Sequence, residues 1–351
     1  MKAIYKKINE LPLNRVQQAA IRLMQCDLKF LYTIFTHRDC IPPNYYVALM
    51  PYMGLIVDGV EDWIKVYNNS SKFKLEAPVF TASQRAYYEE MRKAIKLYEK
   101  GADSLNQLLQ NKYQESDRYF SSVCKPIAKH LRLYDVYGVF SCNGVPCDNT
   151  ILDQCFSPYF QFGNTDGKRI QSMAEVAGKY VAIFNAIEPY SINENYSFST
   201  KDYGGFVKSP LGRSYNVKFM LFSITCQINF VVKAVNDLVK DEAPTKLRFS
   251  YLLYYYLCDV ISSVNDLCKT SLTIDNRYYS EEFRNSMAHY KLGVSLKETE
   301  LKDDPVFGLS QKVLNVEYRV LRRAIIDELT QLRRQIDDVI KNGRATEANV
   351  K

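Results

Sequence analysis

Residues 84–110 of the chain, QRAYYEEMRKAIKLYEKGADSLNQLLQ, carry the pattern that decides the fold class. Apolar side chains recur there at alternating steps of three and four residues, which places them on one stripe of an α-helix. The stripe consists of Tyr88, Met91, Ile95, Tyr98, Ala102, Leu105 and Leu109. Just ahead of it, Thr81 and Gln84 have the spacing of a capping box, a common helix start. This segment is therefore predicted to be helical.

Helical periodicity recurs along most of the chain. Further helices are predicted at about residues 16–35, 45–67, 114–133, 169–187, 215–239, 246–270, 280–292 and 309–341. With only 14 Gly and 12 Pro in 351 residues, long helices fit the composition better than a turn-rich sandwich or barrel. Residues 136–166 and 188–214 lack this periodicity and are predicted to be long irregular connections. The predicted fold class is all-α.

The length of the chain favours two domains over one. The irregular stretch before residue 214 is the expected boundary. The prediction is a helical domain of unknown role at 1–200, a second helical domain with a four- to five-helix bundle at 201–342, and a disordered tail at 343–351.

Composition indicates the cellular compartment of the protein and its relation to membranes. No apolar run reaches the ~20 residues that a membrane span requires, and the first residues contain none of signal-peptide length. Nine cysteines, an odd number, predict reduced thiols and a cytoplasmic protein without membrane contact. The net charge of +7 is compatible with a nucleic-acid partner but does not require one.

One of the three histidines ends a short segment that carries side chains of catalytic type. Residues 281–290 are EEFRNSMAHY, and Ser280 is placed as an N-cap. Arg284 stays charged and offers forked donors that match phosphate oxygens, His289 can move protons near neutral pH, and Asn285 can orient either one. Cleavage of RNA by its own 2′-hydroxyl needs these functions and no metal ion. The predicted catalytic set is therefore Arg284, Asn285 and His289.

The spacing of these residues raises a geometric problem. Arg284 and His289 are five residues apart, so on a regular α-helix their side chains point ~140° apart. Either the helix is distorted, or two copies meet across a twofold axis and share the work. Because His37 and His130 follow no similarly spaced arginine, a second copy has to come from another chain. A plainer alternative is that Arg284 pairs with a nearby carboxylate and His289 caps or fills a helix end.

The string Arg284-Asn285-Ser286-Met287-Ala288-His289 resembles the signature of the HEPN superfamily, in which a histidine follows an arginine by four to six residues. The resemblance covers about residues 214–342. It implies a HEPN-like bundle and a homodimeric, metal-independent endoribonuclease whose paired motifs line a cleft. Such proteins often serve as toxins or in antiviral defence against phage. Arg284 and His289 would be the catalytic pair, and Asn285 the supporting polar residue.

Two other classes stay open: a catalytically inactive HEPN-like module that binds RNA, a ligand or a protein partner, and a helical scaffold with an accidental motif. An inhibitory protein or regulatory ligand is a further expected partner. The chain contains no Gly-rich phosphate loop, nucleophile elbow or zinc-protease helix, so no cofactor is predicted. Cys142, Cys147 and Cys155 form only one loose arm of a zinc site, and thiols without metal are expected there.

Overall fold

The structure is a computed structural model that describes residues 4–78, 80–123, 136–156, 167–203, 211, 217–290, 296–301 and 305–342. Helices make up most of these residues, which confirms the all-α prediction. The predicted disordered tail at 343–351 lies outside the described residues.

Six helices are described in the N-terminal half. They are α1 (Arg15–Thr36), α2 (Pro43–Ser70), α3 (Ala82–Lys93), α4 (Gly101–Val123), α5 (Thr150–Phe156) and α6 (Gly167–Ile183). The capping box of Thr81 and Gln84 is present at the start of α3, as predicted. The segment 84–110 is not one helix, however, because α3 ends at Lys93 and α4 begins only at Gly101, whose φ of +81° lies in the left-handed region that breaks a continuous helix.

Five helices are described in the C-terminal half. They are α7 (Val217–Asn229, continued by a π-helical turn over Phe230–Val235), α8 (Pro244–Cys268), α9 (Glu281–Ala288), α10 (Pro305–Leu314) and α11 (Tyr318–Asn342). The final predicted helix is divided because Asn315, with a φ of +51°, separates α10 from α11. Helix α8 packs against α9 and α11, and α10 packs against both of these. The assignment of these helices to a HEPN bundle stays a prediction.

Five short strands are described, and three of them lie in the stretches 136–166 and 188–214 that were predicted to be irregular. Strands β1 (Ile4–Lys6) and β2 (Phe73–Leu75) pair in parallel, and β3 (Gly138–Cys142) lies between β4 (Val145–Asn149) and β5 (Phe198–Asp202) in an antiparallel sheet. The turn between β3 and β4 is Asn143-Gly144, and both residues have positive φ. An Asn-Gly pair between apolar residues is a strong hairpin signal. It was present in the sequence and was overlooked.

The buried core is continuous across the predicted domain boundary near residue 200. The Phe30 ring of α1 meets the Phe249 ring of α8 edge-on, with centroids 5.7 Å apart. The Tyr52 ring of α2 stacks on the same phenylalanine at 4.1 Å. The division into two domains stays a prediction, and these contacts join the helices on either side of it.

One described helical stretch, Val217–Val235, is long and apolar enough to cross a membrane by length and composition. Within the protein, 83% of its most apolar window is buried. That burial is typical of a central core helix and indicates no membrane protein.

Helices α2 and α3 approach closely at a glycine, which gives a test of their packing. A Cβ atom on Gly54 would lie 2.8 Å from the backbone nitrogen of Arg92 and 2.9 Å from the Met91 Cβ. We therefore expect Gly54→Ala to lower the free energy of unfolding by about 1–3 kcal/mol, measured by urea denaturation. Gly178 of α6 has no atom within 4 Å of its would-be Cβ. Gly178→Ala should raise stability by about 0.5–1 kcal/mol, and equal effects at the two sites would contradict the packing.

Candidate functional site

Helix α9 carries the predicted catalytic residues and has well-defined ends. The Ser280 hydroxyl accepts a hydrogen bond from the Phe283 backbone N–H at 3.2 Å, as an N-cap does. Phe283 and Met287 are buried and hold the helix on the core. At the other end, His289 is the C-cap, and its backbone N–H donates to the Asn285 carbonyl at 3.1 Å. The predicted N-cap at Ser280 is confirmed, but the helix ends at Ala288 instead of near residue 292, so His289 lies just beyond it.

Arg284 and Asn285 lie together on the outer side of this helix. The Arg284 Nη1 donates to the Asn285 Oδ1 at 2.7 Å. Its guanidinium also lies over the rings of Tyr255 and Tyr256 of α8, at 5.1 and 5.9 Å from their centroids. Among the described residues, no carboxylate lies within ion-pair distance of this guanidinium, so these contacts do not support the plainer alternative for Arg284. This hydrogen bond holds the guanidinium beside Asn285, and the catalytic roles of both residues stay predictions.

His289 is half-buried and faces a different part of the molecule. It lines a partly open cavity of about 210 Å³, together with residues of α1 and α2. The imidazole is therefore not sealed in packing. The described contacts of Arg284 are with α8, whereas the cavity at His289 is formed with α1 and α2. His289 follows the last residue of α9 in extended backbone, with a φ of −133° and a ψ of 147°, so the ~140° offset of a regular helix does not apply to it. One copy of α9 thus presents its cation and its imidazole to different surroundings.

An exposed tyrosine extends the surface beside Arg284. The Tyr279 ring is 40% exposed and stacks on the Tyr255 ring with centroids 4.4 Å apart. Its hydroxyl donates to the Asp259 carboxylate at 2.5 Å. Although Asp259 belongs to an apolar segment of the sequence, its side chain is exposed at the surface of α8.

A buried ion pair is formed by other residues, which sequence reasoning missed. Asp27 of α1 and Arg248 of α8 are fully buried and form a salt bridge. The Arg248 Nε donates to the Met287 carbonyl at 2.9 Å, and its Nη1 donates to the Tyr290 hydroxyl at 3.0 Å. That hydroxyl donates in turn to Asp27 at 2.7 Å. This network fixes the end of α9, and hence the backbone of His289, against α1. The sequence did contain a signal for this pair, since the apolar segments of α1 and α8 each include a charged residue.

A second buried cluster joins β4 to α5. Asp148 is buried and accepts a hydrogen bond from the Asn149 backbone N–H at 2.8 Å. Burial and the neighbouring Asp153 raise the pKa of Asp148 well above its usual range, and burial raises the pKa of Asp153 to about 6. The two carboxyl groups therefore hold protons more readily in the folded protein than in the unfolded chain.

These raised pKa values predict a pH dependence of stability. Because the folded state binds more protons, the free energy of unfolding should fall as the pH rises from about 4 through about 6. The fall should be smaller in Asp148→Asn, which removes the buried carboxyl group whose pKa lies well above its usual range. The exposed Asp338 of α11 provides the control, since Asp338→Asn should keep the parental slope. Urea denaturation at a series of pH values measures the slopes, and an unchanged slope in Asp148→Asn would contradict the pairing.

The cysteines of this region are free thiols. Cys142 and Cys147 are buried at the β3–β4 hairpin, and burial raises the pKa of Cys155 to about 12. Such thiols are poor nucleophiles and poor metal ligands, because both roles require the thiolate. Within the described ranges, no group of three or more His, Cys, Asp or Glu side chains is placed to hold a metal ion.

The chain matches no protein-family model, no curated protein and no solved structure. The resemblance to HEPN proteins therefore rests on the motif at 284–289 and on its place in a late, short helix. What the geometry adds is an oriented guanidinium and an imidazole at the edge of a cavity.

Proposed function

We propose that this protein is a metal-independent endoribonuclease of HEPN type that acts as a homodimer, with phage defence or toxicity as its biological role. The observation that carries the proposal is the half-buried His289 at a partly open cavity, at the end of the same helix that carries solvent-facing Asn285 and its partner Arg284. The described cysteines are free, which suits a reducing, cytoplasmic setting.

The reaction follows from the chemistry of these groups. The 2′-oxygen of the RNA forms a bond to the adjacent phosphorus, and the bond from phosphorus to the 5′-oxygen breaks. An imidazole takes the proton of the 2′-hydroxyl, and an imidazolium gives a proton to the departing 5′-oxygen. The guanidinium of Arg284 stabilises the charge that builds on the phosphate oxygens. The products are a 2′,3′-cyclic phosphate and a 5′-hydroxyl.

In a dimer, Arg284 and His289 could act on one phosphate even though they face different surroundings within one chain. Within one chain, Arg284 lies against Tyr255 and Tyr256, while His289 lies at the cavity of α1 and α2. A twofold axis close to α9 would place the guanidinium of one chain near the imidazole of the other. The proposal therefore requires that activity depend on association of two chains.

The test uses purified protein with single-stranded RNA in EDTA. We expect fragments that end in 2′,3′-cyclic phosphate, and none from the same RNA with 2′-O-methyl groups. Arg284→Ala should abolish the fragments, whereas Arg333→Ala should not, since Arg333 is a partly buried arginine of α11 paired with Asp337. Intact RNA with the parent protein, or cleavage that survives Arg284→Ala, would refute the enzyme. Sedimentation of the active sample should show a dimer.

The second candidate is a catalytically inactive HEPN-like module that binds a ligand. The observation that favours it is the divergence of Arg284 and His289 within the chain, together with a cavity lined mostly by apolar groups. It predicts binding of RNA or a small molecule without cleavage in the same assay.

A further inference from the structure

The cavity beside His289 lies where α1, α2 and the end of α9 meet. Its volume is about 210 Å³, and most of its exposed lining is apolar. Pockets for drug-sized ligands occupy roughly 300–1,000 Å³, so this one fits a smaller ligand of one or two rings. The buried network of Asp27, Arg248 and Tyr290 holds one wall in place. The cavity therefore has a fixed wall where the end of α9 meets α1 and α2.

Aromatic side chains form much of the wall. Trp63 and Tyr67 both line the cavity, and their rings are nearly parallel, at 11° and with centroids 5.3 Å apart. Tyr290 lines it from the side of α9. Flat aromatic surfaces bind flat ligands by stacking, whichever ring system the ligand has.

Hydrogen-bond donors and acceptors lie among these aromatic rings. Gln17 is oriented by its Oε1, which accepts a hydrogen bond from the Asn14 backbone N–H at 3.0 Å. Its amide NH₂ is a donor, and the Asp62 carboxylate, with 43% of its side chain exposed, is an acceptor. His289 adds a ring nitrogen. The edge of a nucleobase carries donors and acceptors side by side, which this set matches.

Charge excludes a phosphate from the interior. Asp62, 3.6 Å from Lys65, is the carboxylate among the residues that line the cavity, and no lysine or arginine is among those lining residues to bind a phosphate. An uncharged ring can enter, while the phosphate of a nucleotide stays outside, on the side of the imidazole. We propose that the cavity is a nucleobase subsite for a neutral purine or pyrimidine. The link to RNA rests on the proposed nuclease function, since a base seated here would bring its own phosphate towards His289.

Trp63 is the single tryptophan of the chain and therefore reports occupancy through its fluorescence. Adenine, uracil, a 2′-O-methyl RNA that resists cleavage, and ribose 5-phosphate as a probe without a base are titrated in turn. We expect saturable quenching by the bases and none by ribose 5-phosphate. Quenching by free bases alone identifies a small-molecule ligand, and quenching by the RNA as well identifies a nucleotide of the substrate.

Two substitutions test the place of binding. Ala20 is 2% exposed and lines the cavity, so Ala20→Leu should fill it and weaken binding at least tenfold. Ala86 is exposed on α3, and Ala86→Leu should leave the affinity unchanged. Asp62→Ala, on the exposed rim, should weaken binding severalfold without disturbing the core. Thermal unfolding checks that each variant folds.

Absence of quenching by the bases and the RNA, or unchanged affinity in both Ala20→Leu and Asp62→Ala, would overturn the subsite. Cleavage of RNA without any response of Trp63 would leave the nuclease standing and refute the subsite alone. Saturable quenching by the bases without cleavage of RNA would support the subsite and refute the nuclease.

Discussion

Replacing Arg248 by methionine is expected to lower the free energy of unfolding by about 3–5 kcal/mol, because it leaves Asp27 as an uncompensated buried charge. Both side chains of this pair are fully buried. The substitution also removes the donors to the Met287 carbonyl and the Tyr290 hydroxyl, so the end of α9 loses its attachment. Chemical denaturation measures the loss, and any ribonuclease activity should fall with it.

A double-mutant cycle separates the ion pair from simple loss of packing. Replacing Asp27 by leucine together with Arg248→Met removes both charges, so its cost should be less than the sum of the two single substitutions. The matched control is Arg333→Met on α11, where the partner Asp337 is partly exposed and the expected loss is about 0–1 kcal/mol. A loss near 1 kcal/mol in Arg248→Met, or strict additivity, would be inconsistent with a buried pair.

Replacing His289 by alanine is expected to reduce the rate of RNA cleavage by about 10²–10⁴-fold, the usual contribution of a general acid or base. The chain provides a close control in His37, which is the C-cap of α1 just as His289 is the C-cap of α9. The His37 ring Nδ1 lies 2.7 Å from the Thr33 carbonyl, and His37→Ala should leave the rate unchanged. The rate constants come from a labelled oligonucleotide under single-turnover conditions.

Equal losses in the two histidine variants would point to unfolding, and an unchanged rate in both would point to a contaminating nuclease. Loss in His289→Ala alone, with unfolding midpoints equal to those of His37→Ala, would assign the proton transfer to His289. Mixing His289→Ala with Arg284→Ala adds a test of the dimer. If each site combines groups from two chains, the mixed sample should regain part of the activity that both variants lack.

Local features of the protein were predictable because their causes lie within a few residues. Helix α3 and its capping box follow from Thr81, Gln84 and the apolar stripe behind them. The short helix α9 follows from Ser280 and the spacing of its buried residues. The hairpin at Asn143-Gly144 was equally local and was missed, since the surrounding cysteines and prolines had suggested an irregular loop.

The identity of the buried pair was not predictable in the same way. Asp27, Arg248 and Asp259 are each a charge within an apolar segment, and nothing in the local pattern says which of them faces the core. The helical phase of each segment against its neighbours decides it, and that phase depends on helices distant in sequence. Arg248 therefore meets Asp27, while Asp259 lies at the surface beside Tyr279.

From its sequence alone, this protein was identifiable as a helical chain with an Arg-Asn-x3-His motif on a short capped helix, because periodicity and capping act over one or two turns. Only the tertiary structure placed Arg284 against the tyrosines of α8 and His289 at the cavity between α1 and α2. The physical reason is that α9 ends at Ala288 and His289 follows in extended backbone, while long-range packing determines what each of the two side chains meets.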